Sequence, residues 1–325
     1  MQVIIPLAGK GTRLRPHTHL TPKPMLRVAG RPVMDWVMDR LDGLEVEELI
    51  FITGHLKEQV EQYARSRYRW PSRFIEQTVQ DGTAGAVNLA RPHVHGPVLI
   101  VFVDTVFEAD LTLVNRTDAD GIIWAKEVED YQRFGVVVTD DKGYMTRIVE
   151  KPSQPISRLA NIGLYFIRDT AALWAGVDHV LQSPANKGEY YLTDAFQHMI
   201  EHGRRILTAE VGGWYDCGKL DTLLETNEIL LRKGRARHRE YPGVTIHDPV
   251  LIEDDVQIES STIGPNVTIE SGSRIRGSQL SHVITGRDCA IVNSRLSHSM
   301  LGNAVAIEGV SGSASLGDHS EVRTH

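Results

Sequence analysis

The sequence predicts two architectures in series. An α/β domain with a Rossmann-like, mixed but mostly parallel sheet is expected over residues 1–235, and a hexapeptide-repeat parallel β-helix over residues 236–325. For the first, short apolar, β-branched runs at 3–7, 49–53 and 98–103 read as buried strands. Between them Val33, Trp36, Val37, Arg40 and Leu41, and then Val60, Tyr63 and Ala64, keep helical spacing, so strands and helices alternate. For the second, the triplets Val244-Thr245-Ile246, Val250-Leu251-Ile252 and Val256-Gln257-Ile258 recur every six residues. Val267-Thr268-Ile269 and Ser273-Arg274-Ile275 continue the series. Cys289-Ala290-Ile291 and Val305-Ala306-Ile307 follow at a spacing of sixteen. Three six-residue sides close one coil of about eighteen residues, with some corners shortened. Gly264, Asn266, Gly272, Gly277, Gly302 and Asn303 are expected at those corners, where unusual backbone angles are needed.

Within the first domain, residues 121–167 are rich in strands and read as a lid or substrate-side subdomain. A helix over 220–231, apolar at Leu220, Leu223, Leu224 and Leu231 but interrupted by Asn227, closes it. Residues 235–239, with Arg235, Arg237, His238 and Arg239, read as a solvated basic linker.

At 325 residues the chain can hold a large domain and a smaller one, and its formal charge of −7 disfavours a nucleic-acid surface. Cys217 and Cys289 lie far apart with no metal-ligand spacing, which fits a reduced cytoplasmic protein. No leader pattern opens the chain and no run nears eighteen apolar residues, so no membrane association is expected.

The chemistry is concentrated in Leu7-Ala8-Gly9-Lys10-Gly11-Thr12-Arg13-Leu14, completed by Pro22-Lys23-Pro24-Met25. Glycines at a strand's carboxyl end let backbone N–H groups approach a polyphosphate, and Arg13 and Lys23 are fixed cations to neutralise it. A dinucleotide fingerprint is excluded because Leu14 stands where the third glycine belongs and Pro16, Pro22 and Pro24 oppose a helix. A Walker A sequence is absent from the chain. A nucleoside triphosphate site remains.

The eighteen residues from Ala8 to Met25 resemble the signature of the sugar-1-phosphate nucleotidylyltransferases, G-x-G-T-R-L-x-P-x-T followed by P-K-P. The resemblance implies attack of a sugar-1-phosphate oxygen on the α-phosphorus of a nucleoside triphosphate, with Mg²⁺ as cofactor, and a left-handed form of the β-helix. Leu7, Ala8, Gly9, Gly11 and Thr12 would line the nucleotide, with Arg13, Lys23 and Lys151 as catalytic cations. Asp104 would bind the metal from its strand end, although Val103 replaces the usual preceding glycine. Its partner would be Asp216, in a Trp214-Tyr215-Asp216-Cys217-Gly218-Lys219 run that resembles W-x-D-x-G-T with lysine in place of threonine. Gln77, with Gly82 and Thr83 of the following turn, looks like the nucleobase reader, and a carboxamide suits uracil or thymine better than guanine. On the sugar side Glu150-Lys151-Pro152, Phe134-Gly135-Val136-Val137, Ala160-Asn161-Ile162-Gly163-Leu164-Tyr165 and Glu189-Tyr190-Tyr191-Leu192-Thr193-Asp194 match family elements. They assign Gly135, Glu150, Lys151, Asn161 and Asp194 to the sugar phosphate. Thr193-Asp194 also suits a simple helix cap.

The resemblance leaves dTTP and UTP close as donors, with glucose-1-phosphate the leading acceptor. Alternatives are a bifunctional enzyme whose β-helix also transfers acetyl groups, with His282 or His298 as base, and a regulatory subunit that binds nucleotide without catalysis. All four of Arg13, Lys23, Asp104 and Asp216 are retained, which argues against the last. The β-helix is expected to carry homo-oligomer contacts.

Overall fold

A computed structural model describes residues 1–186 and 188–324. It divides into two compact units, each discontinuous in sequence: Met1–Gly9 with Val37–Trp214, and Lys10–Trp36 with Tyr215–His325.

The first unit is built on a nine-stranded mixed sheet among the described residues. Its parallel half runs Val98–Val101, Gln2–Pro6, Glu48–Thr53, Ser72–Glu76, with Ile4 level with Ile50 and Ile100. Val3, Ile4, Ile5, Leu49, Ile50 and Phe51 are all buried, so both sheet faces are covered, as uninterrupted Val/Ile/Leu runs require. One face packs on the helices Thr83–Asn88, Thr170–Gln182 and Leu192–Glu201 through Ala84, Val87, Leu173, Val177 and Phe196. These parallel strands end on one edge, where Leu7 to Gly9, Gly54, Gln77 and Asp104 follow them. That edge is where open α/β sheets bind ligands.

The strand-rich segment 121–167, expected as a lid or substrate-side subdomain, continues the same sheet. Leu159–Ile167 pairs antiparallel with Val98–Val101, Gly121–Glu127 and Gly135–Thr139, and Gly135–Thr139 pairs with Met145–Glu150. The register breaks between Asn161 and Tyr165, at Gly163, whose φ of 77° is glycine's territory.

In the second unit, Lys10–Trp36 contains only single 3-10 turns (Thr12–Leu14, His17–His19, Lys23–Met25), two-residue strands and the start of the helix Val33–Met38. The prolines exclude a helix after the glycine loop, as expected. Lys23 sits in the third of these turns.

The carboxyl-terminal part is all-parallel, as a hexapeptide β-helix requires. Ile258, Ile275, Ile291, Ile307 and Val322 stack in register, in steps of 17, 16, 16 and 15 residues. The coil is thus shorter than eighteen, because its corners are trimmed to tight turns. Gly264, Asn266, Gly272 and Gly277 occupy left-handed backbone there. Gly302 and Asn303 do not; Ala304 takes that conformation, Asn303 Oδ1 accepts from Arg287 N at 3.0 Å, and Gly302 lies against the Asp318 backbone. His282 and His298, at the corner of successive coils, stack at 4.7 Å and 4°. No helix among the described residues is long and apolar enough to cross a membrane.

The buried isoleucine ladder makes a direct stability prediction. Ile291 is 0% exposed, so Ile291→Ala should lower the unfolding free energy by about 2–5 kcal/mol in a urea titration. A change below about 0.5 kcal/mol would contradict a packed coil interior.

Candidate active site

On the first unit's strand edge, the loop after Gln2–Pro6 lies against the neighbouring crossover. Leu7 N donates to Ile52 O at 2.9 Å, and a Cβ on Gly54 would stand 2.6 Å from Ala8 O. Gly54 is therefore part of the loop's construction, though nothing in the first motif pointed to it. A Cβ on Gly9 would meet nothing within 4 Å. Its bareness serves no internal packing and leaves open space above the strand end.

Gln77 is buried and tied at both ends. Its N–H donates to Thr53 O at 2.8 Å, and Nε2 donates to Asp81 Oδ1 at 3.0 Å and to Gly82 O at 3.4 Å. Two acceptors around Nε2 fix the carboxamide's orientation, which presents Oε1 as the acceptor. Asp81 opens the run expected to follow the glutamine in base selection, and the structure shows its carboxylate holding the Gln77 amide. The turn itself is docked rigidly. Gly82 has φ 114°, a Cβ there would stand 2.5 Å from Tyr190 O, Ala84 N donates to Tyr190 O, and Thr83 Oγ1 accepts from Leu192 N at 2.9 Å.

A second cluster surrounds Gly135. Asn161 Nδ2 donates to Gly135 O at 2.9 Å, and Tyr165 donates its hydroxyl to Asn161 Oδ1. Thr193 Oγ1 donates to Glu150 Oε2 at 3.1 Å. A Cβ on Gly135 would overlap Asn161 Nδ2 and lie 2.8 Å from Glu150 Oε2, so only glycine fits. Lys151 has φ 44°, is exposed, and sets Nζ 3.6 Å from Glu150 Oε1 and 4.9 Å from the Tyr191 ring centre. Burial pushes the Glu150 carboxyl up, against the opposing pull of Lys151 and the Thr193 hydroxyl. Burial, then the charges of Glu150 and Asp104, push the Tyr165 phenol well above its usual range. Tyr165 thus stays a neutral donor, and Asp104 lies near enough for its charge to be felt.

Asp194 is separated from that hydrogen-bonded core. It lies in the first turn of Leu192–Glu201, three residues after the N-cap Tyr191, and no side-chain cap bond is made there. It lines a cavity of about 260 Å³ with His179, Tyr190, Gln197 and His198, and burial raises its pKa. Thr193, not Asp194, is the residue of that pair bonded to Glu150.

The second unit gathers the remaining charged residues. Gly11 has φ 61°, and a Cβ there would stand 3.1 Å from Lys23 Cβ, so the turn that carries Lys23 lies directly on the loop. Gly218 N donates to Asp216 Oδ1 at 2.8 Å, and a Cβ on Gly218 would stand 3.6 Å from Arg13 Nη2. Arg13 and Asp216 thus flank the same glycine. Lys219 stands at the N-cap of Leu220–Leu230 with no side-chain cap; the Thr222 hydroxyl accepts from Lys219 N and donates to Lys219 O instead. Among the described residues no three His, Cys, Asp or Glu side chains are grouped to hold a metal ion by themselves.

Bare backbone at Gly9 and a buried, fixed carboxamide at Gln77 thus stand at the strand ends of an α/β sheet, the edge where such sheets bind ligands. Residues 2–233 match the nucleotidyl transferase family, and the chain belongs to it. It is 34% identical over 263 residues to the bifunctional protein GlmU of Methanococcus aeolicus, covering 80% of this chain and 62% of that one. The chain therefore spans less than two thirds of that relative. It is 34% identical to the UTP–glucose-1-phosphate uridylyltransferase AglF of Haloferax volcanii, covering 66% of this chain and 89% of that one. A glucose-1-phosphate thymidylyltransferase of Streptomyces antibioticus matches at 28% identity over 99% of both chains. A solved UDP-glucose pyrophosphorylase in complex with UDP-glucose shares the fold, with a TM-score of 0.65, 22% identity, and coverage of 71% of this chain and 98% of that one.

Glu150 carries a pH-dependent prediction. Its folded-state pKa is raised, so the native chain holds that proton more tightly than the unfolded chain and loses stability as pH rises through this range. Glu150→Gln should raise Tm near about pH 7.5 and raise it less near about pH 4 in scanning calorimetry. An unchanged or lower Tm at the higher pH would contradict a costly buried carboxylate.

Proposed function

We propose that the chain transfers a nucleotidyl group from UTP or dTTP to a hexose-1-phosphate, with glucose-1-phosphate the leading acceptor, and that residues 1–235 are the catalytic region. The observation that carries this reading is the fixed Gln77 carboxamide, whose Oε1 is left to accept the imino N–H of a uracil or thymine. Leu7, Ala8, Gly9, Gly11 and Thr12 would follow the triphosphate, and Gly82 and Thr83 would border the base. Gly135 would let the sugar lie against backbone, with Glu150 and Asn161 bonding its hydroxyls and Lys151 its phosphate. Asp194 would act farther out.

A phosphomonoester with a second pKa of about 6 is already a dianion near neutral pH, so its oxygen attacks the α-phosphorus with no general base. The new P–O bond forms as the bond to the β-phosphate bridging oxygen breaks, and pyrophosphate leaves with that electron pair. What limits the reaction is the approach of two polyanions, which Arg13, Lys23 and Lys151 offset. Asp104 and Asp216 supply hard carboxylate oxygens, the donor type Mg²⁺ takes one or two of, completing its shell with phosphate oxygens. Bound there, Mg²⁺ would neutralise charge on the phosphates.

The thymidylyltransferase match over 99% of both chains, the uridylyltransferase AglF and GlmU support the reaction class and keep both donors open. Acetyl transfer by the β-helix draws less support, because His282 and His298 stack on each other and Asn266 Nδ2 lies 2.9 Å from His282 Nε2. A homo-oligomer joined through the β-helix is part of this reading, because stacked coils offer repeating apolar faces. Two free buried thiols suit the reducing cytoplasm.

Five nucleoside triphosphates assayed against several hexose-1-phosphates with Mg²⁺ should release pyrophosphate fastest with UTP or dTTP. Gln77→Glu puts a carboxylate against Asp81 and should cut kcat/KM for the preferred pyrimidine nucleotide by about a hundredfold; unchanged kinetics would remove Gln77 as the base reader. Arg13→Ala should lower kcat at least about a hundredfold, and a change below threefold would displace it from the reacting phosphates. Sedimentation should give a multiple of the 36.3 kDa chain mass, and a monomer would end the oligomer reading.

A further inference from the structure

Asn227 interrupts the apolar stripe of its helix, and the structure gives it work there. The side chain is 1% exposed, and its Oδ1 accepts from Ala29 N at 2.8 Å and from Thr268 Oγ1 at 2.7 Å. Thr268 is a fully buried strand residue of the β-helix. One carboxamide oxygen thus joins the closing helix, the segment downstream of the glycine loop and a coil. The preceding helix residue, Thr226, donates to the carbonyl of Asp216 at 3.0 Å.

Other bonds fasten the same segment to the coils. Arg27 Nε lies 2.8 Å from Glu270 Oε2, and Glu270 is 1% exposed. His17 Nε2 lies 3.1 Å from Ser315 Oγ, and a Cβ on Gly317 would stand 3.1 Å from Pro16 Cβ. Burial pushes His17 down to about 4, against the pull of Asp318, so the ring is neutral at physiological pH. Met25 and Leu26 face Ile284, Met300 and Leu301 across a cavity of only about 50 Å³. The bonds lie on both sides of Lys23 and just after Arg13. A segment with only single turns of its own takes its shape from this backing.

We propose that the coils of the β-helix belong to the nucleotide-binding machinery, with Asn227, Thr268 and Glu270 as positioning residues that hold residues 10–26 so that Arg13 and Lys23 face a nucleoside triphosphate. The second half of this statement rests on the nucleotidyl-transfer reading. The β-helix is then more than an oligomerisation appendage: loosening a coil far from any substrate weakens triphosphate binding selectively.

The test uses full-length Thr268→Val, which removes the hydroxyl with little change of shape, Thr268→Ser, which keeps it, and Glu270→Gln. Thr268→Val, which removes one ordinary hydrogen bond, and Glu270→Gln, which removes the charge paired with Arg27, should each raise KM for the preferred triphosphate about fivefold. KM for the sugar phosphate should stay within twofold. Amide exchange across residues 10–26, measured without ligand, should quicken about fivefold, and Thr268→Ser should behave as wild type. Parallel rises in both KM values, or unchanged exchange over 10–26, would overturn the proposal. Should Thr268→Val not fold, Ser315→Ala, at an exposed strand position, should show the same selective change at smaller size, and its absence counts equally against it. A wild-type chain that transfers no nucleotide refutes the functional reading alone, because the exchange measurement still decides the positioning role.

Discussion

The segment bearing Arg13 and Lys23 has too little regular structure to hold itself. Between residue 10 and the helix at Val33 it forms three single 3-10 turns and two two-residue strands, so its backbone groups and side chains depend on what lies behind them. The hydrogen bond from Ala29 N to Asn227 Oδ1 is the centre of that backing, since a buried amide left without an acceptor costs about 1–3 kcal/mol. Cations meant for a polyanion need a fixed backbone behind them. A short, proline-rich stretch tied to a rigid β-helix meets that requirement at low entropic cost.

The first unit solves the complementary problem with its sheet. Parallel strands buried on both faces end on a common edge, and each strand end delivers one element: bare backbone after Pro6, a fixed carboxamide at Gln77, a carboxylate at Asp104. Antiparallel strands then extend the same sheet and bring Gly135, Glu150 and Asn161 into one hydrogen-bonded cluster. The raised pKa values of Glu150 and Tyr165 have a common origin in burial, and they mark where the fold accepts an electrostatic cost.

Much of this was legible in the sequence because it rests on short-range rules. The period-six Val/Ile triplets gave the coils, and the apolar runs gave the parallel strands. The prolines after the glycine loop excluded a helix. What escaped has long-range causes. Which residues close the corners depends on the neighbouring coils, and Ala304 and His319 do so in left-handed backbone without glycine. The strands of 121–167 gave no sign that they join the main sheet, because antiparallel partners are set by register across the fold. Asp81 behind Gln77, Thr193 against Glu150 and Gly54 under Ala8 are contacts between neighbouring elements, invisible to a motif. Asn227 was visible only as an anomaly, a polar residue on an apolar stripe, and its partners lie about 40 and 200 residues away.

The most direct test of the account is a crystal structure of the chain with UDP-glucose or dTDP-glucose bound. The account predicts the base's imino N–H within hydrogen-bond distance of Gln77 Oε1 and the hexose against the Gly135 backbone, with Glu150 and Asn161 on its hydroxyls. A nucleotide sugar whose base lies away from Gln77, or whose hexose leaves Gly135 open, would contradict it.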